Sequence, residues 1–220
     1  MKKFQQRIKE CGFGYILFAI SERLPEWLFS YYHSVLLTCT NPKLLTRRYK
    51  DYAVRFATEA DMDNLGTVGT SKEKALERFH RGDTCVIVEK DGRIVSISWV
   101  AIGEVFIRYG GTILDTGPEG LYLYGVYTIP EERMKGFIGP MFKSQLEYHA
   151  RRNRKLAIGA VDFFNKPSLA LHRRMGFNTV GETYGIIAAG ISIVHYKKWP
   201  YKTRKLHVYF KRPPRNLPWV

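Results

Sequence analysis

At 220 residues, 45% hydrophobic and 25% charged, the chain has the size and composition of one globular domain, which excludes global disorder and a dependence on disulfide staples. Its net charge of +15 sits in the flanks: residues 1–50 hold nine Lys/Arg against three Asp/Glu, residues 51–185 hold 18 against 17, and residues 186–220 hold eight against none. A near-neutral centre between basic ends disfavours a nucleic-acid groove on the folded face and suits peripheral contact of the ends with an anionic membrane surface.

Residues 4–40 are rich in aromatic and aliphatic groups, with apolar runs from Cys11 to Ile20 and from Trp27 to Cys39. Both are shorter than the roughly 20 residues that span a bilayer, and no small-residue cleavage site of a signal peptide follows the first. Pro25 suits the first turn of a helix, so the segment predicts two short helices flanked by Lys2, Lys3, Arg7, Lys9, Arg47 and Arg48. Their apolar faces either pack on the core, the commoner outcome, or lie in a membrane interface.

Tyr52 to Ala57 then reads as a strand, and Thr58-Glu59-Ala60-Asp61 as a capped helix start. A helix is expected over Thr70 to Arg81, with Thr70 and Glu73 as its capping box and Gly82 as its stop. Cys85–Glu89 and Arg93–Ala101 flank Asp91-Gly92, a strong hairpin signal. Residues 104–119 predict a second hairpin around Gly110-Gly111 and a turn at Thr116-Gly117-Pro118, together forming a lip. A strand (Leu121–Thr128), a helix (Pro140–Arg154), a strand (Leu156–Phe163) and a helix (Pro167–Met175) come next, which implies a right-handed parallel crossover. Ile191–Tyr196 and Leu206–Phe210 are strand-like, and the tail Lys211–Val220 is basic and proline-rich. Cys11, Cys39 and Cys85, odd in number and widely spaced, fit neither a zinc nor a redox pair and point to a reducing cytoplasmic setting.

The most informative stretch is Val126 to Gly139, a strand running into a basic loop with Gly136 and on into a helix. Amides at such a helix start can hold phosphate oxygens, and Arg133 and Lys135 add charge there. A plain turn with Gly136 at positive φ is the competing reading. Asn165 suits a helix cap before Pro167.

Arg133-x-x-Gly136 in register with Pro130, Asn165, Ser168, Leu171 and Gly176-Phe177 resembles the GNAT-type N-acetyltransferase superfamily over roughly residues 52–185. The resemblance implies an α/β (α+β) fold: a mixed, mostly antiparallel twisted sheet with one splayed parallel strand pair, flanked by helices. It implies acetyl-CoA, or another acyl-CoA, as cofactor. The backbone of Val126 and Thr128 would pair with the pantetheine arm, and Arg133, Met134, Lys135, Gly136, Phe137, Ile138 and Gly139 would wrap the pyrophosphate. Asn165 would touch the cofactor arm. A freed N–H beside Val126 and Thr128 would polarise the thioester carbonyl. The sequence departs from the family at Ile138, where glycine or alanine is usual, at Pro140, which removes one amide, and at His172, where many relatives place a tyrosine that protonates the leaving thiolate. His172 is thus the candidate acid, with a structural histidine as the alternative. Asp162, Tyr122, Tyr124, Glu104 and Glu119 are candidate bases, Asp162 and Tyr124 foremost; a helix cap and core aromatics are the bland alternatives.

The expectation is therefore a helical extension (1–50), an acyltransferase domain (51–200) and a basic strand and tail (201–220). The enzyme would move an acetyl group to a primary amine of a small molecule by direct attack, with no metal. Amino sugars or surface-polysaccharide precursors are acceptors by analogy alone. Alternatives are a long-chain N-acyltransferase such as an N-acyl amino acid synthase, with the acyl chain housed in the aromatic extension, and a non-catalytic module docking on anionic membrane or RNA. Oligomeric state is open.

Overall fold

The computed structural model describes residues 8, 12–25, 28–43, 50–107, 112–188, 191–196 and 206–210. The turn at Gly110-Gly111, the basic residues Lys2, Lys3, Arg7, Lys9, Arg47 and Arg48, and the tail 211–220 lie outside them.

In chain order the elements are α1 (Gly14–Ser21), β1 (Phe29–Cys39), β2 (Ala53–Phe56), α2 (Lys72–His80), β3 (Thr84–Lys90), β4 (Arg93–Ala101), β5 (Glu104–Ile107), β6 (Thr112–Asp115), β7 (Gly120–Thr128), α3 (Ile138–Ala150), β8 (Leu156–Asp162), α4 (Lys166–Arg174), β9 (Asn178–Ala188), β10 (Ile191–Tyr196) and β11 (Leu206–Phe210). Among the described residues nine strands form one sheet in the order β11-β10-β9-β1-β8-β7-β4-β3-β2, and β5 and β6 pair apart from it as the expected hairpin. Only β7 and β8 run parallel among these pairs; the rest are antiparallel.

The hairpin signal holds, and two helix-start signals shift. Asp91 (φ 50°) and Gly92 (φ 73°) make the tight turn between β3 and β4 with both central residues left-handed, as such hairpins require. The Thr58 N–H donates to Asp61 Oδ2 at 2.8 Å, but the segment forms one short turn of 3-10 helix rather than a longer helix. Helix α2 is capped by Ser71, whose Oγ accepts from the Lys74 N–H at 3.4 Å, one residue later than the Thr70 box.

Among the described residues the expected second N-terminal helix is absent. In place of a helix, Phe29–Cys39 is β1, an eleven-residue strand bonded to β8 on one side and β9 on the other. Its aromatic and β-branched residues suit a pleated surface. Val35, Leu37 and Cys39 pack with α3 and α4, while Leu36 joins the other core cluster. A strand covered on both faces reads as an unbroken apolar run, which periodicity alone does not separate from a helix.

Alternation along β7 divides its side chains between the two faces of the sheet. Leu121 and Leu123 face α3 and α4, where Phe142 and Leu169 share their cluster. Tyr122 and Tyr124 face the other side, stacked with ring centres 5.8 Å apart; there Trp99 of β4 lies 6.4 Å from Tyr124 and 5.2 Å from Phe79 of α2.

Candidate active site

The parallel pair opens partway along. Its register runs from Gly120↔Leu156 to Leu123↔Gly159 and stops, although β7 continues to Thr128 and β8 to Asp162. The cause lies on the other edge of β7. Against β4, Ile97 faces Tyr127 and Trp99 faces Tyr124, so Gly125 and Val126 together oppose the single residue Ser98. This is a β-bulge, with Gly125 in the left-handed region at φ 57°. A bulge bends its strand, and β7 leaves β8 where the bulge begins.

The opened backbone can be assigned by side. Ser96 Oγ donates to the Tyr127 carbonyl oxygen at 2.9 Å, and the Ile129 N–H donates to the Val95 carbonyl at 3.0 Å. Tyr127 and Ile129 thus face β4, and alternation turns the polar groups of Val126 and Thr128 toward the seam. Exposure changes at the same point: Tyr124 is buried, whereas Val126 and Tyr127 are 42% and 37% exposed.

Beyond Thr128 a short 3-10 turn (Pro130–Glu132) leads to the basic loop. Met134 (φ 65°) and Gly136 (φ 82°) are both left-handed. Such residues interleaved in a loop turn successive N–H groups toward one point, the arrangement that binds anions. The amides of Met134, Lys135, Gly136 and Ile138 donate to no backbone carbonyl among the described residues, and the Gly139 N–H bonds only weakly, to Gly136 at 3.3 Å. Pro140 stands third in α3, where a missing amide leaves no helical bond unmade.

The two basic side chains of the loop are engaged elsewhere, a correction to the expectation that they add charge where the amides converge. Lys135 Nζ pairs with Glu132 and donates to Tyr52 Oη at 2.7 Å. Glu132, which also accepts from Tyr52 Oη at 2.7 Å and lies 3.5 Å from Lys90, is held down at a pKa of about 2, first by its bond from Lys135 and then by that from Tyr52. Arg133 Nε donates to the Thr128 carbonyl at 3.2 Å, covering one seam-facing acceptor. The ring of Tyr52 lies 4.9 Å from that of Phe137. Lys135, Glu132 and Tyr52 thus brace the loop from behind. Glu132→Gln should loosen the loop, read as faster amide hydrogen exchange over residues 133–139 with the rest of the sheet unchanged.

His172 is 7% exposed, between the rings of Phe142 (6.2 Å) and Phe177 (5.2 Å). Its Nδ1–H donates to the Ser168 carbonyl oxygen at 2.8 Å, because a carbonyl can only accept. The neutral ring then has no proton on Nε2, and burial lowers its pKa, so the imidazolium needed for proton donation is disfavoured. The geometry therefore favours the structural alternative over the acid role. His172→Gln should leave the pH profile of kcat unshifted between pH 6 and 9 while lowering the melting temperature. His149 on α3 is likewise lowered, to about 4, mainly by burial. Both rings are neutral when folded, so their stabilisation is present above the ordinary value of about 6.5 and lost as pH falls toward their folded values.

Tyr124 also departs from its expected role. Its hydroxyl donates to Asp83 Oδ2 and accepts from Arg81 Nη2 at 3.1 Å, and Arg81 also pairs with Asp83. Burial, followed by the Asp83 charge, raises its pKa well above 10, which keeps it a phenol and not a base. Asp162 ends β8 beside the opened seam. Its Oδ1 accepts from the Phe164 N–H at 2.6 Å, the turn-capping role, and the Asn165 N–H also supports the carboxylate. Burial raises its pKa, the direction that suits a proton acceptor. Asn165 caps α4, with Oδ1 accepting from the Ser168 N–H at 3.2 Å. Arg78, Arg81, Asp83, Tyr52 and Glu132 were not singled out from sequence; the tyrosines that join them lie 41 and 80 residues away in the chain.

The profile of the Acetyltransferase (GNAT) family matches residues 45–177. Among solved structures, the chain is similar to a protein described as a GNAT-family acetyltransferase from Novosphingobium aromaticivorans, at 12% identity, covering 70% of this chain and 63% of that one with a TM-score of 0.52. It is similar to a tandem GNAT protein from the clavulanic acid biosynthesis pathway, at 13% identity, 71% and 53% coverage and a TM-score of 0.53. It is also similar to a Drosophila protein, at 14% identity, 84% and 57% coverage and a TM-score of 0.50. The chain spans less than two thirds of the length of each, and the likeness is one of fold. No curated protein matches it. With well over half of its residues matched by the profile, the chain belongs to the Acetyltransferase (GNAT) family, whose members are acyltransferases.

Proposed function

We propose that this chain transfers an acyl group, acetyl foremost, from acyl-CoA to a primary amine of a small molecule by direct attack. The observation that carries this reading is the bulge at Gly125–Val126, which opens the β7–β8 seam directly upstream of a loop with unengaged amides. The loop from Arg133 to Gly139 fits a diphosphate, with the backbone of Met134, Lys135, Gly136 and Ile138 as the donors, and the Asn165 amide N–H groups are available to the donor's arm. The acyl donor supplies an activated thioester.

This chain's residues do the rest. The Val126 N–H on the seam is the donor placed to stabilise negative charge on the thioester carbonyl oxygen; a single such donor contributes about 2.7–4 kcal/mol in enzymes where one has been removed. The Asp162 carboxylate, directly or through a water, takes the proton that the amine loses as its nitrogen bonds to the carbonyl carbon. The C–S bond breaks and the departing thiolate takes a proton from solvent.

Acetyl is favoured over a long acyl chain because the aromatic groups of the N-terminal segment are already packed: the Tyr15 and Phe18 rings lie 6.1 Å apart and 5.7 and 4.8 Å from that of Phe164 beyond β8. No described helix is long and apolar enough to cross a membrane. Cys39 and Cys85 are free and buried, in keeping with a reducing, cytoplasmic setting. Calorimetric titration with acetyl-CoA, followed by thiol release in the presence of amines, tests the proposal. Binding and amine-dependent release are expected; no binding at millimolar acetyl-CoA would refute it.

A further inference from the structure

On the side of the seam away from α3 and α4 stands a cation with no counter-ion among the described residues. Arg78, on α2, has its guanidinium carbon 5.0 Å from the Trp99 ring centre and 4.9 Å from that of Tyr124, so two aromatic faces support it. Its Nη1 is 3.4 Å from where a Cβ on Gly125 would stand, which puts the charge at the bulge itself. Its one hydrogen bond among the described residues is long, from Nη1 to Thr70 Oγ1 at 3.5 Å. Most of its five donors are thus uncommitted. The buried carboxylate on the same tyrosine, Asp83, is already taken by Arg81 and by the Tyr124 hydroxyl.

A half-buried guanidinium loses solvation, and a protein ordinarily offsets that with a carboxylate. Here the compensation is aromatic, and the donors stay open beside the bulge at which β7 parts from β8. Asp162, the proton acceptor of the reading above, ends β8, the strand that β7 leaves at the bulge. We propose that the acceptor is an amine carrying an anionic group, a carboxylate or a phosphate, and that Arg78 binds that group and so sets the amine against the thioester. The planar fork of arginine matches both anions in a bidentate manner. This inference rests on the acyl-transfer reading above.

The test uses the full chain with saturating acetyl-CoA and matched acceptors: glycine, serine, glutamate, lysine and phenylalanine against their α-carboxamides, and O-phosphoethanolamine against ethanolamine. Thiol release gives kcat/KM, and calorimetry in the presence of CoA gives acceptor binding. At least one anionic member is expected to exceed its neutral partner tenfold or more; which pair does so separates carboxylate from phosphate. Arg78→Gln should shrink that ratio at least tenfold, mainly through KM, and Arg78→Lys should restore part of it. If acetyl-CoA binds but neutral members equal or exceed the anionic ones in both assays, or if Arg78→Gln leaves the ratio unchanged, the inference is overturned and acyl transfer stands. If acetyl-CoA does not bind, both fall.

Discussion

Gly125→Val should lower kcat/KM at least a hundredfold, about 2.7 kcal/mol of lost transition-state stabilisation, while the protein still melts cooperatively. Gly125 has φ 57°, a conformation that costs an ordinary L-residue roughly 1–2 kcal/mol and a β-branched one more. A Cβ there would also stand 3.1 Å from Trp99 Cδ1 and 3.4 Å from Arg78 Nη1. Trp99 is fully buried, so it has little room to retreat. Relief comes from abandoning the bulge, which shifts the register of Val126 to Thr128 and rotates their polar groups out of the seam. Gly66→Ala is the matched control: it is exposed, has no atom within 4 Å of a new Cβ, and should leave kinetics unchanged. Equal activity in both variants would show that the bulge has no part in the reaction.

A chain truncated to begin at residue 45, where the family profile starts, should be insoluble or molten rather than folded. It would lack β1, leaving β8 and β9 with unpaired edges in the middle of the sheet. Leu36 and Leu37 are both fully buried, and removing one such side chain costs about 2–5 kcal/mol against a total stability of about 5–15 kcal/mol. Circular dichroism and urea melts of the truncated and full chains, with Leu37→Ala as a milder version, measure this. A truncated chain with a full-size cooperative transition would mean that β1 is dispensable.

These two variants mark the limits of what was legible in the residues. The order from β7 through the loop, α3, β8 and α4 was readable because its signals are local: Asn165 before Pro167, Gly176 after α4, a basic loop before a helix. β1 was not, because burial on both faces removes the alternation that identifies a strand. The second limit concerns side chains. Lys135 and Arg133 look like phosphate ligands by position, but Glu132, three residues upstream, holds Lys135, and the Thr128 carbonyl takes Arg133. Tyr124 looks like a base until Asp83, 41 residues away, makes it a donor. Sequence spacing shows where the backbone turns, but not which partner a side chain finds, whether three residues away or 41.

The central claim is that the opened half of the β7–β8 seam and the adjoining loop together hold an acyl-CoA. Amide hydrogen exchange with and without acetyl-CoA tests it most directly. Slowed exchange confined to peptides covering 125–129 and 134–139, with that covering β5 and β6 unchanged, is the predicted result. Saturating acetyl-CoA that slows exchange elsewhere, or nowhere, would contradict the account.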